Sequence, residues 1–372
     1  MHILRLKKHI HSTMRSVFLA GVFALSLTCD GMSQSERKVI GVQLPLTGQA
    51  SSWGLDCKDG LDLVFREIPA PLSNQLKLIY QDDQMTPKVA VGIAKGFFED
   101  KNLLALVTLS TNVALTISPI SLNYQVPFLA LSGHPDLIAN NPTVFDHWPD
   151  YSTEIARYLE FLRETDPKSI AVITFEHDYT LAIRDRFNQG ARDQGRQVVN
   201  DETVTGEIDA RAIVSRVLRH NPELIFLNLF EPHFSALLKA LRERRFSGTI
   251  IAGFGNVTKN LLSSLSAATT DGIVFFTPNY QGASEFAARV PSLKREPQDV
   301  GTVFACYVGA KRLADGITKV ASTGELTAPR LLTALHEIRD VDLGSRKLPV
   351  IDRRIRYDFL KGVVRRGAIG FE

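Results

Sequence analysis

Adjacent carboxylates at Asp82-Asp83, a serine ahead of Gly-His at Ser132-Gly-His134, and a His-Glu pair at His336-Glu337 are where catalytic chemistry would first be sought in this chain. None carries the pattern such chemistry needs. A zinc helix presents two histidines four residues apart, and His336-Glu337 has no second one. His147, His177, His220 and His233 have no cysteine or histidine at metal-ligand spacing. Ala130-Leu-Ser-Gly-His134 is not a nucleophile elbow. Asp82-Asp83 follows an apolar run and precedes Pro87, where aspartates shape turns. Gly253-Phe-Gly255 is too short for a phosphate loop. No catalytic set, metal or cofactor is expected, and binding is favoured over catalysis.

Ser110-Thr-Asn112 reads differently. It ends the apolar run Leu103–Leu109 and opens an amphipathic segment. Its hydroxyls and free N–H groups would therefore face outward at a helix N-terminus, where a ligand carboxylate is favoured. A plain cap with no ligand is the alternative. Gly133 permits close backbone approach. His134 either donates to a ligand oxygen or caps the helix that Asp136 opens.

The elements that must position these residues alternate along the chain. Apolar strands at 39–42, 76–80, 103–109, 126–131, 169–174, 197–200, 224–228, 249–252 and 273–277 are separated by amphipathic helices. Continuous Val/Ile/Leu strands between helices imply parallel sheets covered on both faces, with right-handed βαβ crossovers. Ligands in such sheets sit beyond the carboxyl ends of the strands. The length suggests two domains of this α/β, doubly wound class.

Residues 1–28 read as a secretory signal: Arg5, Lys7, Lys8 and Arg15 precede an apolar run, Val17–Leu27, too short to anchor permanently. His9 and His11 would leave with it. Ser26-Leu-Thr-Cys29 makes Cys29 a candidate lipidation point, and Ser33–Arg37 a polar tether. The chain carries 43 Lys+Arg and 40 Asp+Glu, a formal +3. The leader holds four of the basic residues and no acidic ones, so the remainder is near neutral and no nucleic-acid partner is expected. The arginine runs Arg242-Glu-Arg-Arg245 and Arg353-Arg-Ile-Arg356 read as solvated faces. With three cysteines the chain is no disulfide scaffold; Cys57 and Cys306 either pair or are separate buried thiols.

The segments Gly41-Val-Gln-Leu-Pro-Leu-Thr-Gly48, Trp53-Gly54, Lys77-Leu-Ile-Tyr-Gln-Asp-Asp-Gln-Met-Thr-Pro-Lys88, Leu106-Val-Thr-Leu-Ser-Thr111, Val126-Pro-Phe-Leu-Ala-Leu-Ser132 and Ile170-Ala-Val-Ile173 ahead of Asp178-Tyr179 occur in a characteristic order. In these the chain resembles the branched-chain amino-acid and amide binding family of periplasmic solute-binding proteins, the ligand-capturing subunits of ABC importers. The resemblance implies a type I periplasmic-binding-protein fold, two doubly wound lobes joined by a three-stranded hinge. Crossings are expected near Asp146–Tyr151, Thr277–Gln281 and Asp340–Leu343. Lobe one would be 38–148 plus 280–341, and lobe two 149–279 plus 342–372.

The resemblance also places Trp53 over the ligand, although a core role is the alternative, and makes Ser132-Gly-His134 a second polar wall. Tyr179 matches a ligand-facing tyrosine and Phe230 replaces a frequent tyrosine, with Glu231 beside it. Where amino-acid binders of the family often carry an acid for the ligand ammonium, Gly255 or Asn256 stands here. The expected ligand is a small carboxylate, amide or amino acid, with an α-amino acid disfavoured unless Glu231 serves. The expected partner is an ABC permease in the membrane, served by a periplasmic monomer. A sensory receptor module reporting to a separate membrane protein is the rival role.

Overall fold

The computed structural model describes residues 37–372; the expected signal, Cys29 and most of the tether lie outside the described residues. Along the chain run β1 (Lys38–Leu44), β2 (Leu76–Asp82), β3 (Leu103–Leu109), β4 (Phe128–Leu131) and β5 (Val144–Asp146). They are followed by β6 (Ser169–Phe175), β7 (Gln197–Val204), β8 (Leu224–Asn228), β9 (Thr249–Ala252) and β10 (Ile273–Pro278). The chain closes with β11 (Asp340–Asp342), β12 (Lys347–Ile351), β13 (Arg354–Ile355), β14 (Phe359–Arg365) and β15 (Ala368–Phe371). Two sheets result, ordered β11-β12-β13-β5-β4-β3-β1-β2 and β15-β14-β10-β9-β8-β6-β7. This is the two-lobed α/β architecture that the strand–helix alternation implies.

The apolar runs account for the sheet interiors. Every residue of β3, Leu-Leu-Ala-Leu-Val-Thr-Leu, is buried, as a strand covered on both faces requires. β1 lies between β2 and β3, parallel to both. Strand order therefore reverses between β1 and β3, and again between β6 and β8. Such reversals open a crevice at the carboxyl ends of the strands.

Lobe one is pinned by two packed helices, Ser51–Phe65 and Val300–Thr323. Gly60 lets them meet: a Cβ there would lie 2.3 Å from the Val303 carbonyl oxygen. Beside it Cys57 and Cys306 form a disulfide across 249 residues of chain, which settles their pairing. The buried Asp56 carboxylate accepts from the N–H groups of Asp299 (2.7 Å) and Gln298 (3.2 Å) and pairs with Arg295. It thus ties one helix to the start of the other.

The connections between the sheets are bound to one another. Asp150, after β5, caps the helix Tyr151–Thr165 through the N–H groups of Ser152 and Thr153 and pairs with Arg356 at 2.6 Å. Burial alone would raise its carboxyl pKa, but hydrogen bonds from Thr153 and the Arg356 charge hold it below the usual range. The Tyr357 hydroxyl donates to the His147 carbonyl at 3.0 Å. The Asn279 side chain, after β10, donates to Asp358 at 2.7 Å.

The third crossing differs from its expected place near Asp340–Leu343. β11, β12 and β13 stay with the first sheet, and the chain crosses between β13 and β14. The segment 342–372 is accordingly divided between the lobes. The reason is strand pairing: β11 pairs with β12, β12 with β13 and β13 with β5 of the first sheet, with Leu343, Leu348, Val350 and Ile355 buried, whereas β14 pairs antiparallel with β10. The arginine runs are also more than solvated faces. Arg353 donates to the carbonyls of Ile138, Asn141 and Val144, and Arg242 to those of Thr269, Asp271 and Phe246.

In lobe two, Glu154 is buried without an ion-pair partner, accepting instead from the hydroxyls of Tyr158 (2.9 Å) and Tyr179 (2.8 Å). Burial pushes its carboxyl up to about 7, with the two tyrosine hydrogen bonds opposing.

Two outcomes follow from these contacts. Replacing both Cys57 and Cys306 by alanine should lower the unfolding free energy by about 2–5 kcal/mol, read from urea denaturation; an unchanged midpoint would remove the disulfide from the stability account. For Glu154, the unfolded carboxyl titrates near its ordinary 4.5 and the folded one near 7. The native state then holds the extra proton between these values, so stability contributed by the protonated form is lost as pH rises through that window. The stability of wild type relative to Glu154→Gln should fall by on the order of 3 kcal/mol between about pH 4.5 and 7 and then level off. A flat difference would show that the carboxyl is not buried neutral.

Candidate functional site

The crevice lies where the carboxyl ends of β1, β3 and β4 face those of β6, β8 and β9. Trp53, at the start of the helix Ser51–Phe65, and Phe230, just beyond β8, meet edge to face with ring centroids 4.9 Å apart. This contact joins the lobes and divides the crevice. Behind it is an inner chamber of about 50 Å³, lined by Ser110, Thr111, Ser132, Tyr179, Trp53 and Phe230. In front is a vestibule of about 460 Å³, reached by Asn112, Glu231, Gly255 and Asn256. The lobes also meet at the rim, where Gln298 accepts from the N–H groups of Lys259 (3.2 Å) and Asn260 (3.0 Å) through its carbonyl and side-chain oxygens.

The polar wall comes from lobe one. Thr111 and Ser132 hydroxyls lie 2.8 Å apart, and Thr111 and Tyr151 hydroxyls 3.1 Å apart. Ser110 holds φ at +94°, a region rarely populated outside glycine and costly unless the surroundings enforce it. Its hydroxyl donates to Asn112 Oδ1, which also accepts from Val113 N at 2.9 Å. The helix Thr111–Ser121 thus begins inside the crevice, with its first N–H groups lacking intrahelical acceptors. This end has the polarity for an anion.

The other walls are apolar and aromatic. Trp148, in the first crossing, and Phe254, after β9, pack edge to face at 5.0 Å and line the chamber with Leu109, Leu131 and Met85. Sequence reasoning missed all five. The signals that were there are an aromatic inside a crossing segment and a phenylalanine between Gly253 and Gly255. Met85 is placed by the turn that Asp82 and Asp83 build: Asp82 Oδ1 accepts from Leu46 N (2.8 Å) and Gln84 N (3.0 Å), and Asp83 Oδ1 from Met85 N (2.8 Å).

Several residues expected at the ligand take other parts. His134 lines neither compartment; its Nδ1 accepts from Asp136 N at 3.3 Å and its ring packs on Tyr151. Gly133 is needed because a Cβ would lie 2.3 Å from the Pro149 carbonyl oxygen. The Tyr179 ring lines the chamber, but its hydroxyl is spent on Glu154. Asn256 is buried, with Nδ2 donating to the carbonyls of Leu229 (2.8 Å) and Gly253 (3.1 Å). Gly255 has φ +75°, and the Trp53 indole occupies the space beside it, 3.4 Å from where a Cβ would stand. Glu231 is exposed at the vestibule, its carboxylate 3.4 Å from Ser235 N. Among the described residues, no carboxylate lines the inner chamber.

Comparison with known proteins bears on what such a crevice is for. A family model described as periplasmic binding protein matches residues 39–354. The chain is 20% identical over 378 residues to Leu/Ile/Val-binding protein homolog 2 of Brucella abortus, covering 94% of this chain and 97% of that one. Among solved structures, a leucine-binding protein of Thermotoga maritima superposes with a TM-score of 0.79 at 20% identity, covering 90% of this chain and 97% of that one. A branched-chain amino acid transporter substrate-binding protein of Streptococcus pneumoniae, in complex with isoleucine, gives 0.79 at 15% identity, with 91% and 99% covered. No helix among the described residues is long and apolar enough to cross a membrane. With two doubly wound lobes, a crevice at their switch points and a family match over most of its length, the chain belongs to the periplasmic binding proteins, a family of binders and not of enzymes.

Proposed function

We propose that the protein captures a small organic carboxylate with an apolar or aromatic body and hands it, as a monomer, to the membrane permease of an ABC importer. The observation that supports this most is the lining of the inner chamber: hydroxyls and a helix N-terminus on one side, aromatic and aliphatic side chains on the others, and no carboxylate. The carboxylate would dock at Ser110, Thr111 and Ser132. Trp53, Trp148, Phe230 and Phe254 would enclose the body, and the lobes would shut because those contacts exist only in the closed state. An amide fits the same wall. A zwitterionic amino acid fits less well, because its ammonium would be desolvated without a carboxylate partner. It remains the second reading, since the pneumococcal relative is in complex with isoleucine.

Export by residues 1–28 and anchoring through Cys29 belong to the same proposal. Intact-mass analysis of the mature protein separates a lipidated N-terminus beginning at Cys29 from simple cleavage.

A thermal-shift and calorimetric screen of protein beginning at Arg37 tests the ligand class, since a ligand bound only by the folded state raises the melting temperature. Aliphatic and aromatic carboxylates should shift it and leucine or isoleucine should not. The Ser110→Ala/Thr111→Ala double variant should bind the same carboxylate at least about tenfold more weakly, the scale of lost hydrogen bonds to a charged group. A shift with isoleucine alone would replace this reading by the amino-acid one. Undiminished affinity in the double variant would move the anion elsewhere.

A further inference from the structure

His177 stands between the two compartments and lines both. It precedes the helix Asp178–Asp193, and its Nδ1 accepts from the Tyr179 N–H at 3.2 Å. A ring nitrogen that accepts a backbone hydrogen bond carries no proton, so the ring proton sits on Nε2. Nε2 is buried and has no partner. The Phe230 ring packs against the imidazole edge to face, centroids 5.3 Å apart, which holds the ring in place. Burial disfavours the charged form, with Asp178 opposing, so the pKa is lowered and the ring stays neutral. The result is a desolvated hydrogen-bond donor on a residue that lines both compartments.

Such a donor costs free energy while unsatisfied and returns it when an acceptor arrives. We infer that His177 is a specificity-determining residue whose Nε2–H donates to a second oxygen acceptor on the ligand (an ether, carbonyl or hydroxyl oxygen) at the end away from its carboxylate. The inference rests on the carboxylate reading above and narrows it to carboxylates bearing a second neutral acceptor. Sites built to hydrogen-bond a ligand group discriminate strongly against analogues that lack it, because the protein group is left unpaired. Glu231, the carboxylate at the vestibule, is exposed to water and does not take this donor.

The test compares isosteres that differ only in the acceptor: the 2-, 3- and 4-methoxyphenylacetates against the corresponding ethylphenylacetates, by isothermal titration calorimetry. At least one methoxy isomer should bind wild type about tenfold more tightly than its ethyl partner, the factor that one unmade buried hydrogen bond represents. In His177→Phe that ratio should fall to near one, and in His177→Gln, which keeps a side-chain N–H, part of it should return. Melting curves of both variants establish that they are folded. If His177→Phe does not fold, the wild-type ratios together with His177→Gln decide the matter. Equal affinities for all pairs in wild type, or a ratio that survives in His177→Phe, overturn the role of His177 while leaving the carboxylate reading intact. Binding of none of these carboxylates, with amino acids binding instead, overturns the carboxylate reading and this inference with it.

Discussion

Three chain crossings join the two lobes, and the bonds between those crossings are the constraint on which the site depends. Asp150 belongs to the first, Asn279 to the second, and Arg356, Tyr357 and Asp358 to the third. Each crossing is fastened to another by a charged or hydrogen-bonded contact at its middle. A set of tied strands can bend together but does not let one lobe slide past the other. The two carboxyl edges therefore face each other in one register, and residues as distant in sequence as Trp53 and Phe230 meet in ring contact. Asp150 serves this twice, since the same carboxylate that pairs with Arg356 also starts the helix bearing Tyr151 and Glu154.

The site is made of unlike halves. Lobe one supplies the short polar groups at strand ends, with the Thr111 hydroxyl bonded to that of Ser132 and to Tyr151 at the start of lobe two, alongside Trp53, Met85, Leu109 and Leu131. Lobe two adds further bulk but no hydroxyl to that wall: Phe230, Phe254 and the Tyr179 ring. The hydroxyl of Tyr179 and the amide of Asn256 point into lobe two's own structure instead of the chamber. Electrostatically the chamber is thus one-ended, with donors at one wall and little polarity opposite except the Nε2–H of His177.

Much of the fold was readable from residue pattern, for physical reasons. Continuous apolar runs such as Leu103–Leu109 and Ile170–Ile173 exceed what a surface strand tolerates, and they lie in sheet interiors. The hairpin β11–β12 and the short β13 were harder, because a half-buried alternating strand such as Lys-Leu-Pro-Val-Ile at 347–351 does not reveal which sheet it joins. Only the pairing of β12 with β13, and of β13 with β5, decides it. At the site, Ser110, Thr111 and Ser132 were legible as polar residues where strands end. Trp148, Phe254 and His177 were not. An aromatic in a loop carries no periodicity, and a histidine whose one nitrogen caps a helix while the other lies bare is a fact of orientation that no spacing encodes. His134 shows the reverse: the residue types suggested either a ligand donor or a cap, and the geometry makes it an acceptor for Asp136.

The unlike halves differ in how freely they can change. Ser110, Thr111 and Ser132 are tied into lobe one by hydrogen bonds, whereas Phe230 and Phe254 stand at the first turns beyond β8 and β9. Those turns can be exchanged residue by residue without disturbing the hydrogen bonds that hold the polar wall.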